Sequence, residues 1–267
     1  MTIQLIKLML FLSWLFVPIF SDLYASDGPE NSESLDPRAQ QVADKLMQAL
    51  GGKENWDKAR YLRFNFIVEQ KGKVVGDFKH LWDRYTGRYR VEGTTDKNQR
   101  YVVLFQDINT KKGDAFLNGA PVADKDKQKF LDMGYERFIN DTYWLLMPYK
   151  WKDPGVHLKY EGTAKGGKGQ IWDKVLLTFG DVGLTPKDRY WAFVNQETGM
   201  MDKWEFILQG QKGAASTFDW INWQNFGGIM LSTEKKSEKE PLRILFTSVA
   251  VLSSLDDKPF TSVDAHL

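Results

Sequence analysis

The amino-acid sequence predicts an α+β fold, mostly antiparallel β, in which one wide sheet curls into a barrel or half-barrel and helices cover its concave face. Three observations predict it. From Tyr61 onward about 12 short segments alternate apolar and polar residues with period two. The connections between them are short, whereas parallel neighbours need crossovers of a dozen residues or more. Only two segments, 36–50 and 138–147, carry apolar residues at helical spacing. A sheet of that many strands does not stay flat, and the two helical stripes are what the chain offers to cover its hollow side.

The elements follow in order. Lys7 precedes an uncharged apolar run, Leu8 to Phe20, shorter than the roughly 20 residues of a membrane-spanning helix. With Pro18 near its end and Ala25 after it, residues 1–25 read as a secretory signal cut after Ala25, rather than as a retained membrane anchor. Residues 26–35 are a polar, breaker-rich leader, and 36–267 form a single domain. Asp36 is placed to N-cap a helix, Pro37 fits its first position, and Gly51-Gly52 closes it. Ala39, Val42, Ala43, Leu46, Ala49 and Leu50 make its apolar stripe.

Leu62, Phe64, Phe66 and Val68 share one face of a first strand, and the turn at 70–73 leads into a second with Val74, Phe78, His80 and Trp82. Thr86-Gly87 turns into strand 88–92, and 101–105 and 114–117 add two more. Residues 124–147 break the rhythm: Phe138, Thr142 and Leu145 beside Ile139, Tyr143 and Leu146 are helical, and Pro148 stops them. After Asp153-Pro-Gly155 strands return at 156–162, 171–179, 190–195, 200–208, 216–223, 229–236 and 242–251. Asn195 to Gly199 marks a hairpin, and the Gly-rich 162–169 segment is a loop.

Composition narrows function. Lys plus Arg at 36 against Asp plus Glu at 35 gives a net charge of +1, without the basic excess that a nucleic-acid backbone demands. The absence of cysteine removes disulfides, thiolate metal sites and a cysteine nucleophile. The excess is aromatic: 10 Trp, 10 Tyr and 17 Phe must line a core, a cavity or an interface.

Candidate chemistry is sparse. His80, His157 and His266 are the only imidazoles. His80 and Asp83 point to opposite faces of a strand, so neither a metal site nor a histidine base is expected, and His80 reads as a hydrogen-bonded core residue. No nucleophile elbow, phosphate loop or dinucleotide fingerprint is present, and Gly166 to Gly169 joins two strands as a turn. Arg84, Arg88 and Arg90 gather at a hairpin and read as a solvated edge, with anion binding as the alternative.

The segment Lys79-His-Leu-Trp-Asp-Arg-Tyr-Thr-Gly-Arg-Tyr-Arg-Val-Glu92 resembles the LolA-type family of periplasmic lipoprotein carriers and outer-membrane lipoprotein-sorting proteins. That family has Leu-Trp-x-x-Arg-Pro-x-x-Phe-Arg here; Leu81, Trp82, Arg84 and Arg90 match, Tyr85 replaces the proline, and the spacing to Arg90 is longer. The element order agrees too, including Trp144-Leu-Leu-Met-Pro148 in a helical lid, while 149–163 has no counterpart in the pattern. The resemblance implies an unclosed barrel of about eleven strands whose cavity, lidded by helices near 124–148, holds acyl chains. It also implies that Arg84, at the motif-arginine position, hydrogen-bonds the lid or an anion.

The expected function is therefore an exported, non-catalytic binding protein or carrier for a lipid or lipoprotein acyl chains. A hydrolase on the same scaffold and an interaction module with a filled core are the alternatives. Phe64, Phe66, Trp82, Trp204, Phe206, Phe218 and Trp220 should line the cavity, with Trp144 and Leu145 closing it. The protein should be a periplasmic or extracellular monomer, with a hydrophobic ligand and a membrane-associated donor or acceptor as partners. No metal, cofactor or nucleic acid is expected.

Overall fold

The computed structural model describes residues 36–180, 188–265 and 267. The expected secretory signal and leader, residues 1–35, and His266 lie outside them. One all-antiparallel sheet of 13 strands dominates. Its strands are β1 Tyr61–Gln70, β2 Lys73–Asp83, β3 Tyr89–Thr94, β4 Arg100–Asp107, β5 Lys112–Leu117, β6 Ala120–Pro121, β7 Val156–Lys165, β8 Ile171–Phe179, β9 Arg189–Asn195, β10 Met201–Ile207, β11 Ser216–Phe226, β12 Ile229–Ser237 and β13 Leu242–Leu252. The strand beyond the expected dozen is β6, two residues long, whose Pro121 suits a sheet edge because proline has no N–H for the ladder.

The spatial order is β6-β5-β4-β3-β2-β1-β13-β12-β11-β10-β9-β8-β7. Every neighbour pair is a hairpin in sequence except β1 with β13, where the first and last strands meet in the middle, Phe66 opposite Phe246. The sheet does not close, so β6 and β7 are its edges. That topology has a direct consequence for residues 122–155, which must carry the chain from one edge of the sheet to the other. They do so with helix α3, Asp124–Leu146, followed by a 3₁₀ turn, Met147–Tyr149. A helix satisfies the backbone hydrogen bonds of such a connection within the segment itself.

The helix begins 14 residues before the segment 138–147 that periodicity picks out, because its first turns are Lys- and Asp-rich and carry little apolar signal. Its first half packs on β3 and β4: Leu131 is buried with Tyr101, Val103 and Phe105. Gly134 lets the helix approach closely, since a Cβ there would stand 3.0 Å from Phe105 and 3.1 Å from Val103. Its second half, from Asp141 to Leu146, enters the main core.

Two helices precede the sheet. In α1, Pro37–Ala49, the Asp36 carboxylate accepts from the N–H groups of Arg38 and Ala39 at 3.0 and 3.1 Å, as its sequence predicts. The same side chain takes the N–H of Tyr160 on edge strand β7 at 2.7 Å, pinning helix to sheet. These bonds, Tyr160 first, hold its carboxyl below the ordinary range. Gly51, at φ +108°, ends the helix against the β11–β12 turn, where any Cβ would meet the Gly228 carbonyl. The short α2, Lys53–Lys58, has no apolar stripe and goes unseen in the sequence.

The last element, α4, Lys258–Thr261, and residues 262–265 lie on the convex face. Phe260 packs against Tyr61 and Leu81, both of which face away from the main core. Among the described residues no helix is long and apolar enough to cross a membrane.

Candidate functional site on the concave face

The period-two pattern of β10 and β11 puts Trp204, Phe206, Phe218 and Trp220 on the inner face, and register makes them neighbours. Trp204 stands opposite Phe218, and Phe206 opposite Tyr190 on β9. The rings form one continuous surface, with Trp204 5.2 Å from Tyr190 and 5.5 Å from Trp220, and Phe206 6.0 Å from Phe218. These offset and edge-on arrangements are the ones ring quadrupoles favour.

Onto that surface α3 inserts Trp144. Its ring centre lies 4.6 Å from Trp204, 4.9 Å from Phe218 and 5.9 Å from Phe206. Leu145 is buried in the same core. The structure thus brings Trp144 of the helix to the rings of the C-terminal strands.

The N-terminal strands supply the second group. Phe64 and Phe66 both touch Phe246 of β13, at 5.7 and 5.5 Å, and Phe64 stacks on His80 at 4.6 Å. Trp82 is half-buried farther along β2 and meets Phe138 of α3 edge-on at 5.0 Å. Between the two groups stands Lys235 of β12, with its Nζ 4.0 Å from the ring centre of Trp220 and 4.6 Å from that of Phe246. Nothing in the sequence singles it out, because it lies in the run Glu234-Lys-Lys-Ser237, which looks like a solvated strand end. Its register opposite Trp220 and Ile244 turns it inward.

Several donors in this apolar setting lack acceptors. Among the described residues, the indole N–H groups of Trp82, Trp204, Trp220 and Trp223 are buried without a hydrogen-bond partner. Buried Trp N–H groups ordinarily find one, since an unmade bond costs about 1–3 kcal/mol.

His80 is a core histidine, as expected, with an unforeseen neighbour. Its Nδ1 is 2.5 Å from the Tyr89 hydroxyl, and its Nε2 is 3.2 Å from Oδ2 of Asp141 on α3, off-axis for a hydrogen bond. Asp141 also takes the Asn140 amide at 2.7 Å and lies 3.5 Å from the Arg137 guanidinium. Burial lowers the His80 pKa and outweighs the pull of Asp141. His80, Tyr89 and Asp141 are all fully buried where the helix meets the sheet.

The three arginines are not a solvated edge, and each is spent on protein groups. Arg84 donates to the carbonyls of Trp56 and Ala59 at 2.6 and 2.5 Å and lies flat on the Trp56 ring, 3.6 Å from its centre. Those bonds go to the end of α2 rather than to α3. The tie to α3 is indirect: Trp56 stacks on Tyr149 at 4.3 Å, in the turn where α3 ends. Arg88 joins Asp83 and Asp257. Burial raises the Asp83 pKa, but hydrogen bonds from Arg60, Thr86 and Arg88 hold it down to about 2. Arg90 is wholly buried under the C-terminal segment, where it pairs with Glu92 and donates to the carbonyls of Pro259, Ser262, Val263 and Ala265.

No protein-family model matches the chain, and no curated protein does. Solved structures similar to it include a DUF1329 family protein from Desulfovibrio piger and a LolA superfamily protein from Nitrosomonas europaea. Each is 13% identical, with 84% of this chain and 97% of the other covered and a TM-score of 0.47. The chain is similar to a protein of the LolA superfamily, the family that residues 79–92 resemble.

Proposed function

We propose that the protein is an exported, non-catalytic binding protein or carrier whose concave aromatic face takes the hydrocarbon of a lipid or of lipoprotein acyl chains. The observation that supports this most is the set of buried indole N–H groups without acceptors on that face, at Trp82, Trp204 and Trp220. A core selected for packing alone would place phenylalanine or leucine there, because an unsatisfied donor weakens it. A ligand with ester or carboxylate oxygens supplies the missing acceptors, and its methylenes contribute about 0.8 kcal/mol each on burial.

In the absence of ligand, Trp144 covers the rings. Binding then exchanges ring-to-ring contacts for ring-to-chain contacts as the second half of α3 lifts, while its first half stays packed on β3 and β4. Arg84 contributes by holding α2, against which the turn at Tyr149 is stacked.

The test is uptake of a fluorescent fatty acyl probe. The protein should bind it at one saturable site, and Phe206→Glu and Trp220→Glu should each abolish binding in molecules that remain folded by circular dichroism. Absence of probe uptake by the wild-type protein would show that the rings are simply core.

A further inference from the structure

Lys235 is fully buried on β12, between the ring groups of the two halves of the sheet. One of its N–H bonds goes to the Ser232 carbonyl at 2.5 Å, and among the described residues no carboxylate pairs with it. Two ammonium donors therefore stand without acceptors in an aromatic enclosure. The faces of Trp220 and Phe246 offset part of the cost of the charge, but ring contacts are worth no more than a few kcal/mol against the desolvation of an ammonium ion. Burial accordingly pulls the Lys235 pKa well below its ordinary value. Trp220, directly opposite in register, adds an indole N–H without a partner, as do Trp204 beside it and Trp223 on the same strand. The unmet groups at Lys235, Trp204, Trp220 and Trp223 are all donors, so what completes them is an anionic acceptor attached to something apolar.

We infer that Lys235 binds the carboxylate of a long-chain fatty acid, with the hydrocarbon chain laid along the aromatic face. This rests on the reading of that face as a site for a hydrophobic ligand. A carboxylate fits where other heads do not. Its single negative charge balances the single ammonium, and its two oxygens match the two free N–H donors. A phosphate monoester, at about −1.5 to −2, would leave net charge buried, and a neutral head would leave Lys235 as it is.

The experiment compares palmitate with hexadecanol, which has the same chain without the charge, in calorimetric titrations of the wild-type protein and of Lys235→Met. The wild type should bind palmitate at least about tenfold more tightly than hexadecanol, the scale of one charge-assisted hydrogen bond. Lys235→Met should lose that preference and keep its hexadecanol affinity, and its melting temperature should rise because a buried ammonium has been replaced by an apolar chain of similar length. Should the Met variant fail to fold, Lys235→Gln replaces it, and the wild-type comparison decides on its own. Equal binding of the two ligands by the wild type, or a palmitate preference that survives in the variant, overturns the role of Lys235 and leaves the apolar site standing. Tighter binding of hexadecyl phosphate than of palmitate overturns the carboxylate assignment. Binding of none of them overturns the site and this inference together.

Discussion

Arg90→Ala should lower the free energy of unfolding by about 3–5 kcal/mol, the range for removing one partner of a buried ion pair. The guanidinium is wholly buried and serves two structures at once. Its Nε bonds Glu92 at 2.8 Å, and its two terminal nitrogens reach four backbone carbonyls of residues 259–265 at 2.7 to 3.3 Å. Alanine removes the Arg90 donor from the carbonyls of Pro259, Ser262 and Ala265, leaves Val263 and Glu92 to Arg100 alone, and frees the segment that covers Leu81 and Tyr61. Lysine cannot repair this, because one ammonium cannot fork among four carbonyls and a carboxylate. Urea titration measures both variants, with Arg90→Lys recovering less than half of the loss. Because Arg90 lies on the convex face, probe binding per folded molecule should be unchanged. A loss below about 1 kcal/mol, the scale of an exposed ion pair, would mean that the tail is not anchored there.

Trp144→Ala should separate a lid from a core. In a rigid interior the deletion of a tryptophan costs about 3–5 kcal/mol of global stability. Here the ring packs α3 onto Trp204, Phe206 and Phe218, and it occupies the surface that the proposed ligand needs. Its removal weakens the closed state, so the apparent affinity for an acyl probe should rise by at least about tenfold as the competent state becomes more populated. Amide exchange should quicken in 138–147 and stay slow in β1 and β13. Global destabilisation with no gain in affinity would identify Trp144 as ordinary core.

The strands were legible because a sheet with one dry face writes its period directly: Leu62, Phe64, Phe66 and Trp204, Phe206 all lie inward as the alternation requires. Tyr61 and Leu81 show where that rule stops. They are apolar residues on the outward face, and only the C-terminal segment, which has no periodicity of its own, explains why they are buried. The arginines fail for a related reason, since a charge is read as exposed until its acceptors are known, and those of Arg84 and Arg90 are backbone carbonyls far along the chain. Asp141 and Lys235 were invisible because a single polar residue on an apolar face carries no period; their roles appear only when helix and sheet are put together. The crossover helix α3, by contrast, follows from topology once β6 and β7 are known to be opposite edges.

The central claim is that the second half of α3 is a movable cover over an aromatic face that accepts hydrocarbon. Hydrogen exchange of 138–147, followed with and without a saturating fluorescent acyl probe, tests it most directly. The account predicts that these amides open through local fluctuations well below the cost of global unfolding, and that the probe binds and changes their exchange while β1 and β13 stay protected. Protection of 138–147 equal to that of β1 and β13, with no probe bound, would contradict it.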